Sequence, residues 1–194
     1  MPSPPANPFP AHEFMIHNEQ VFHFKNTYMY IWEWLREEGF QGLYDDMNGE
    51  RIEFSYDEKR PDKGLREIRV WWRTAYVPND SQYYRYRMDL NFEVLHMKKT
   101  DIIFEGRKAT ADDGELLLTV KSYIEVDYMN RWKNHSFLKL WDQFFRRRIY
   151  LENLYQHKNE MIRKATRLQE EIKRILELQN YEKVPERFHV QRGL

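Results

Sequence analysis

The chain has 194 residues, 41% of them hydrophobic and 32% charged, with 31 basic side chains against 31 acidic ones. That composition suits one sizeable domain with a well-solvated surface and excludes global disorder. No apolar run approaches the roughly 20 residues that cross a bilayer as a helix, and a cysteine count of zero excludes disulfides, thiolate catalysis and cysteine-ligated metal centres.

Residues 1–12 hold Pro2, Pro4, Pro5, Pro8 and Pro10 and no periodic pattern, so they read as an extended arm. With neither a basic start nor an apolar core, this stretch does not read as a secretory signal, and the expected location is cytoplasmic. From Glu13 to Phe24 the apolar and aromatic content predicts a strand, interrupted near Asn18. Asn26 or Thr27 then caps a short helix whose apolar residues Tyr28, Ile31, Trp32 and Leu35 share one face, and Gly39 stops it.

Strict alternation follows. Ile52, Phe54 and Tyr56 mark one strand; Ile68, Val70, Trp72 and Tyr76 mark the next. Tyr84, Tyr86, Met88, Leu90, Phe92 and Val94 form an inward set opposed by Arg85, Arg87, Asp89, Asn91 and Glu93. A strand over 100–108, a tight turn at Ala111-Asp112-Asp113-Gly114 and a last strand over 115–128 complete the series. Its separations admit hairpins but no helical crossovers, so about six strands form an antiparallel sheet.

Ser136 reads as the start of the final helix, and no proline or glycine intervenes before Pro185. A helix over 136–178 would be ~65 Å long at ~1.5 Å per residue, against a radius of gyration of about 16 Å for a compact chain of this size. The expected fold is therefore α+β, an antiparallel sheet packed on a long C-terminal helix that overruns it. The expected divisions are an arm at 1–12, a sheet domain at 13–157, a helical extension at 158–180 and a tail at 181–194. Within the extension Met161, Ala165, Leu168, Ile172 and Ile175 make a narrow stripe resembling a coiled-coil seam. Either the helix breaks near 156–159 and folds back, or the stripe finds a second copy. Dimerisation is the preferred reading.

The order strand, short helix, antiparallel meander, long terminal helix resembles the helix-grip architecture of START-like proteins over residues 13–155. The resemblance rests on element order. It departs in having one helix after the first strand and in the overrun of the last helix. It implies a carrier of an apolar small molecule between sheet and helix, with Tyr86, Phe92, Trp141 and Phe144 as candidate walls.

Charge is unevenly placed. Residues 1–130 carry 16 basic against 23 acidic side chains, residues 131–174 carry 12 against 5, and the last twenty balance at three each. A segment with that excess draws acidic surfaces. The contact candidates are Arg146, Arg147, Arg148, Lys158, Arg163, Lys164 and Arg167; the plainer alternative is that the segment neutralises the chain's own acidic body. No Gly-rich phosphate loop or Gly-x-Ser-x-Gly elbow is present among the seven glycines. Asp112 and Asp113 read as turn residues, and Arg73, Arg85 and Arg87 as cross-strand partners of Glu67, Asp89 and Glu93. No histidine pair has zinc-site spacing, since His17 and His23 fall too far apart along one strand. No catalytic residue, metal or cofactor is therefore assigned. The expected function is non-catalytic binding or assembly, with an acidic partner such as RNA or the ribosome and no membrane.

Overall fold

The computed structural model describes residues 8–43, 51–61, 64–104, 107–131, 150–178 and 182–183. In chain order these form β1 (Pro8–Asn18), α1 (Phe24–Glu37), β2 (Gln41–Gly42), β3 (Glu53–Lys59), β4 (Arg66–Tyr76), β5 (Tyr84–Phe104), β6 (Arg107–Val126), α2 (Tyr150–Leu178) and β7 (Glu182–Lys183). A single 3₁₀ turn at Pro78–Asp80 joins β4 to β5. The sheet runs β1-β6-β5-β4-β2, with β3 also on β4 and β7 on β5, and every pairing is antiparallel. This is the α+β class that the sequence predicts.

Alternation decides which face is buried. Tyr84, Tyr86, Met88, Leu90, Phe92 and Val94 of β5 are all buried, beside Leu116, Leu118, Val120 and Ile124 of β6 and Ile68, Val70 and Trp72 of β4. Both helices lie on this face and contact each other, and side chains from the sheet and both helices form one continuous core. Helix α1 presents Phe24, Ile31, Trp34 and Leu35 to it.

Gly39 ends α1 as expected. With φ at +85° it takes the left-handed conformation, so that Gly39 N–H reaches Arg36 O (3.0 Å) and Phe40 N–H reaches Leu35 O (2.8 Å). These are the paired bonds of a Schellman cap, and Phe40 and Leu35, both buried, supply its apolar contact. The start of α1 differs from expectation. The helix begins at Phe24 after His23, whose side chain makes no cap bond. Instead the Asp112 carboxylate accepts the Phe24 N–H at 3.2 Å.

Strand β1 begins at Pro8, inside the expected arm. Proline is tolerated because β1 is an edge strand, paired on one side to β6. Ala11 bulges between the pairs Pro10↔Tyr123 and His12↔Ser122. Ser122 Oγ fixes the bulge by accepting from His12 N–H at 3.0 Å and donating to His12 O at 2.7 Å.

The expected turn at 111–114 is absent, since those residues lie within β6, and the expected strand over 100–108 is split, its first part ending β5 and its last opening β6. Strand β5 runs unbroken to Phe104, which pairs with Arg107 of β6. Gly114 serves a different purpose: it faces the bulge at His96-Met97, between the pairs Leu95↔Glu115 and Lys98↔Asp113. His96 has φ +52°, and a Cβ on Gly114 would sit 2.8 Å from Met97 Cα. A glycine at a bulge and a glycine in a turn leave the same local signature.

Candidate functional site

The apolar stripe on α2 is covered. Met161, Ala165, Leu168 and Ile172 are wholly buried, and Ile175 packs against them as part of the same core. Their spacing keeps them on one face of the helix, and that face lies on β1, β6 and α1. The seam expected to seek a second copy is thus occupied by the chain's own sheet and first helix. The expected helix start at Ser136 lies outside the described residues; the described helix runs unbroken through 156–159 and lies against β1, β6 and α1.

The basic residues of the same helix divide. Lys164 Nζ lies 2.5 Å from Glu38 Oε2, and Arg167 Nη1 lies 2.9 Å from Glu38 Oε1. Glu38 is the C-cap of α1, so two predicted contact residues tie one helix to the other. Lys164 also stands over the Tyr76 ring at 5.3 Å, and Lys158 over the Phe9 ring at 5.2 Å. Arg163 is exposed. Arg146, Arg147 and Arg148 lie outside the described residues, as do Trp141 and Phe144.

Tyr86 and Phe92, the other expected cavity walls, are fully buried. Phe92 packs on Trp72 and Tyr28 with ring centroids 4.9 and 5.7 Å away. Tyr86 is built into a polar cluster that the sequence did not reveal. Its hydroxyl lies 2.7 Å from His157 Nδ1 and 2.9 Å from Glu160 Oε2, and the His157 ring lies against Tyr84 at 4.3 Å, tilted by 41°. A hydroxyl has one proton to give. Donated to the Glu160 carboxylate, it leaves a lone pair for the Nδ1–H of His157. Burial, helped by the neighbouring Glu160 charge, pushes the Tyr86 hydroxyl far above its usual range. Burial lowers the His157 imidazole, with the Glu160 charge opposing in part. Both directions favour the uncharged tyrosine and imidazole, which join Glu160 in a chain between α2 and β5.

A parallel arrangement fastens α1. Trp72 Nε1–H donates to the Tyr28 hydroxyl at 3.0 Å, and Tyr28 donates to Glu53. Tyr30 donates to Glu171 of α2 at 2.6 Å, and Arg174 bridges Glu171 and Tyr30. Tyrosine–glutamate pairs thus stand at three junctions: α1 with the sheet, α1 with α2, and α2 with β5.

On the outer face of the sheet the expected cross-strand pairing is met by Arg73 with Asp89, whereas Arg87 takes Asp89 within its own strand and Glu93 meets Arg69, an arginine outside the expected set. Arg87 forks onto Asp89 at 2.8 and 3.0 Å, Arg73 Nε reaches Asp89 at 3.6 Å, and Arg69 reaches Glu93 at 3.8 Å. Glu125 of β6, unforeseen, takes Arg85 at 2.5 Å and Arg87 at 3.6 Å. Arg87 and Glu125 are almost wholly buried, and each keeps a second ionic partner, Asp89 for Arg87 and Arg85 for Glu125. Trp71 remains 38% exposed on this face, with the Arg73 guanidinium 5.8 Å from its ring.

Asp112 is not a turn residue. It lies in β6, bridges Phe22 through paired main-chain bonds of 2.8 and 2.9 Å, caps α1 and holds Lys99 Nζ at 2.6 Å. His17 approaches Glu115 at 2.7 Å and Glu19 at 3.6 Å, beside an open groove of about 490 Å3 between β1 and the end of α2. The His17 contacts are made at the surface by exposed or half-exposed groups. Among the described residues no helix is long and apolar enough to cross a membrane.

No protein-family model, curated protein or solved structure matches the chain.

Proposed function

We propose that the chain is a non-catalytic binding protein, and that it meets an acidic partner, RNA or a ribonucleoprotein, through residues 131–149 with Arg163 of α2. The reading is carried by the way the positive charge is divided. Residues 150–174 have six basic side chains against four acidic ones, and two of the six, Lys164 and Arg167, are held by Glu38. Residues 131–149 have six against one, so the excess concentrates there, directly before α2. A helix face fully engaged with its own sheet supports recognition through charge over recognition through an apolar seam, and self-association through α2 is not part of this proposal.

The test is salt-dependent binding of a single-stranded RNA. Each phosphate neutralised contributes about 0.7 to the slope of log affinity against log salt. Reversing Arg146, Arg147 and Arg148 to Glu should flatten that slope by about 2 and weaken binding at low salt. Reversing Lys164 and Arg167 should chiefly loosen the tie to Glu38 and lower stability. RNA binding that is undetectable at low salt, or unchanged in the triple variant, refutes the reading.

A further inference from the structure

One imidazole stands where the first turns of α2 meet the sheet. His157 is half-buried, its ring lies 4.3 Å from that of Tyr84 and 5.7 Å from that of Tyr86, and Nδ1 is bonded to the Tyr86 hydroxyl at 2.7 Å. The titratable and charged groups around it, among the described residues, come from four elements. Strand β5 supplies Tyr84 and Tyr86, and α2 itself supplies Glu160 one turn on. Strand β4 supplies Tyr76, 5.8 Å from Tyr86. Lys164 covers Tyr76 and is neutralised by Glu38 at the end of α1. Among the described residues the second ring nitrogen, Nε2, has no hydrogen-bond acceptor.

We propose that His157 is a proton-operated latch, which in its neutral form holds the first turns of α2 against β5 and on protonation releases them. In the neutral form each donor of the chain is matched: Nδ1–H donates to the Tyr86 oxygen, and Tyr86 donates to Glu160. Protonation puts a charge on a ring that is half-buried against Tyr84, and that charge is fully hydrated once the ring lifts away. Burial, which disfavours the charged ring, outweighs the attraction of Glu160. The sign follows. The released state binds the proton more readily, so release grows as pH falls below the ordinary histidine value of 6.5 and stops growing once the held form protonates too. The latch directly follows the basic segment but does not depend on what that segment binds.

Hydrogen exchange on the full chain, corrected for intrinsic rates, tests this at pH 7.5 and 5.5. Exchange in peptides over residues 150–161 should quicken several-fold at the lower pH, with a ceiling of about tenfold per pH unit. Peptides over 168–178 should be unchanged. His157→Phe keeps a ring on Tyr84 and has no proton to gain, so its 150–161 region should ignore the change in pH. Equal exchange of the wild type at both values, or the same acceleration in His157→Phe, overturns the proposal. Should that variant not fold, an NMR titration of His157 in the wild type decides: a midpoint below 6.5 supports the latch, and one at or above 6.5 overturns it.

Discussion

Leu168→Ala separates a stripe buried within one chain from a seam between two. Leu168 is wholly buried, flanked on its helix face by the equally buried Ala165 and Ile172, and belongs to the core that the sheet and both helices share. Truncating a leucine in such a setting costs 2–5 kcal/mol, from lost transfer energy and the cavity left behind, and about 3 kcal/mol is expected here. With a urea dependence near ~2 kcal/mol per molar, the unfolding midpoint should drop by about 1.5 M. The assay is urea unfolding followed by tryptophan fluorescence at two protein concentrations tenfold apart. A self-contained core has the same midpoint at both, for the wild type and for the variant. A seam would make wild-type stability rise by about 1.4 kcal/mol per tenfold in concentration, and Leu168→Ala would weaken that dependence. A concentration-dependent midpoint, or a loss well under 1 kcal/mol, refutes the placement of α2.

Asp112→Ala should cost about 1–2 kcal/mol through loss of the cap on α1, whereas Asp112→Asn retains an acceptor for the Phe24 N–H and should cost less; equal losses in thermal unfolding would refute the capping role. Gly114→Ala forces a methyl against Met97 Cα and Leu95 O, both within 2.9 Å, and should destabilise by about 1–3 kcal/mol, with faster hydrogen exchange around 95–98; an unchanged melting point argues against the bulge. Bonds from Arg66 and Arg60 draw the Glu58 carboxyl down from 4.5 to about 2. Its contribution to stability is thus present above pH 4.5 and lost as pH falls toward 2. An NMR titration should find that midpoint, and Arg66→Gln should return it toward the ordinary range.

What the amino-acid order determined unaided was local and periodic. Alternation along Tyr84–Val94 assigned each side chain to its face, because successive residues on a strand point opposite ways whatever the sheet packs against. Gly39 ended α1 because the left-handed conformation it takes there strains any residue with a Cβ. The α2 stripe was equally plain as a stripe. Amphipathicity requires that Met161, Ala165, Leu168 and Ile172 be covered, yet it does not name the cover. That was settled when α2 came to lie beside α1, with Glu38 meeting Lys164 across 126 positions. Tyr86 meets His157 across 71, and Phe24 meets Asp112 across 88. No period links such residues. The same holds for Gly114, whose neighbourhood spells a turn until the Met97 backbone is seen lying against it. Period and propensity act over a few bonds of chain, and so can be read along it. Which buried carboxylate receives which hydroxyl, amide or ammonium depends on segments brought together by packing, and only the folded arrangement states it.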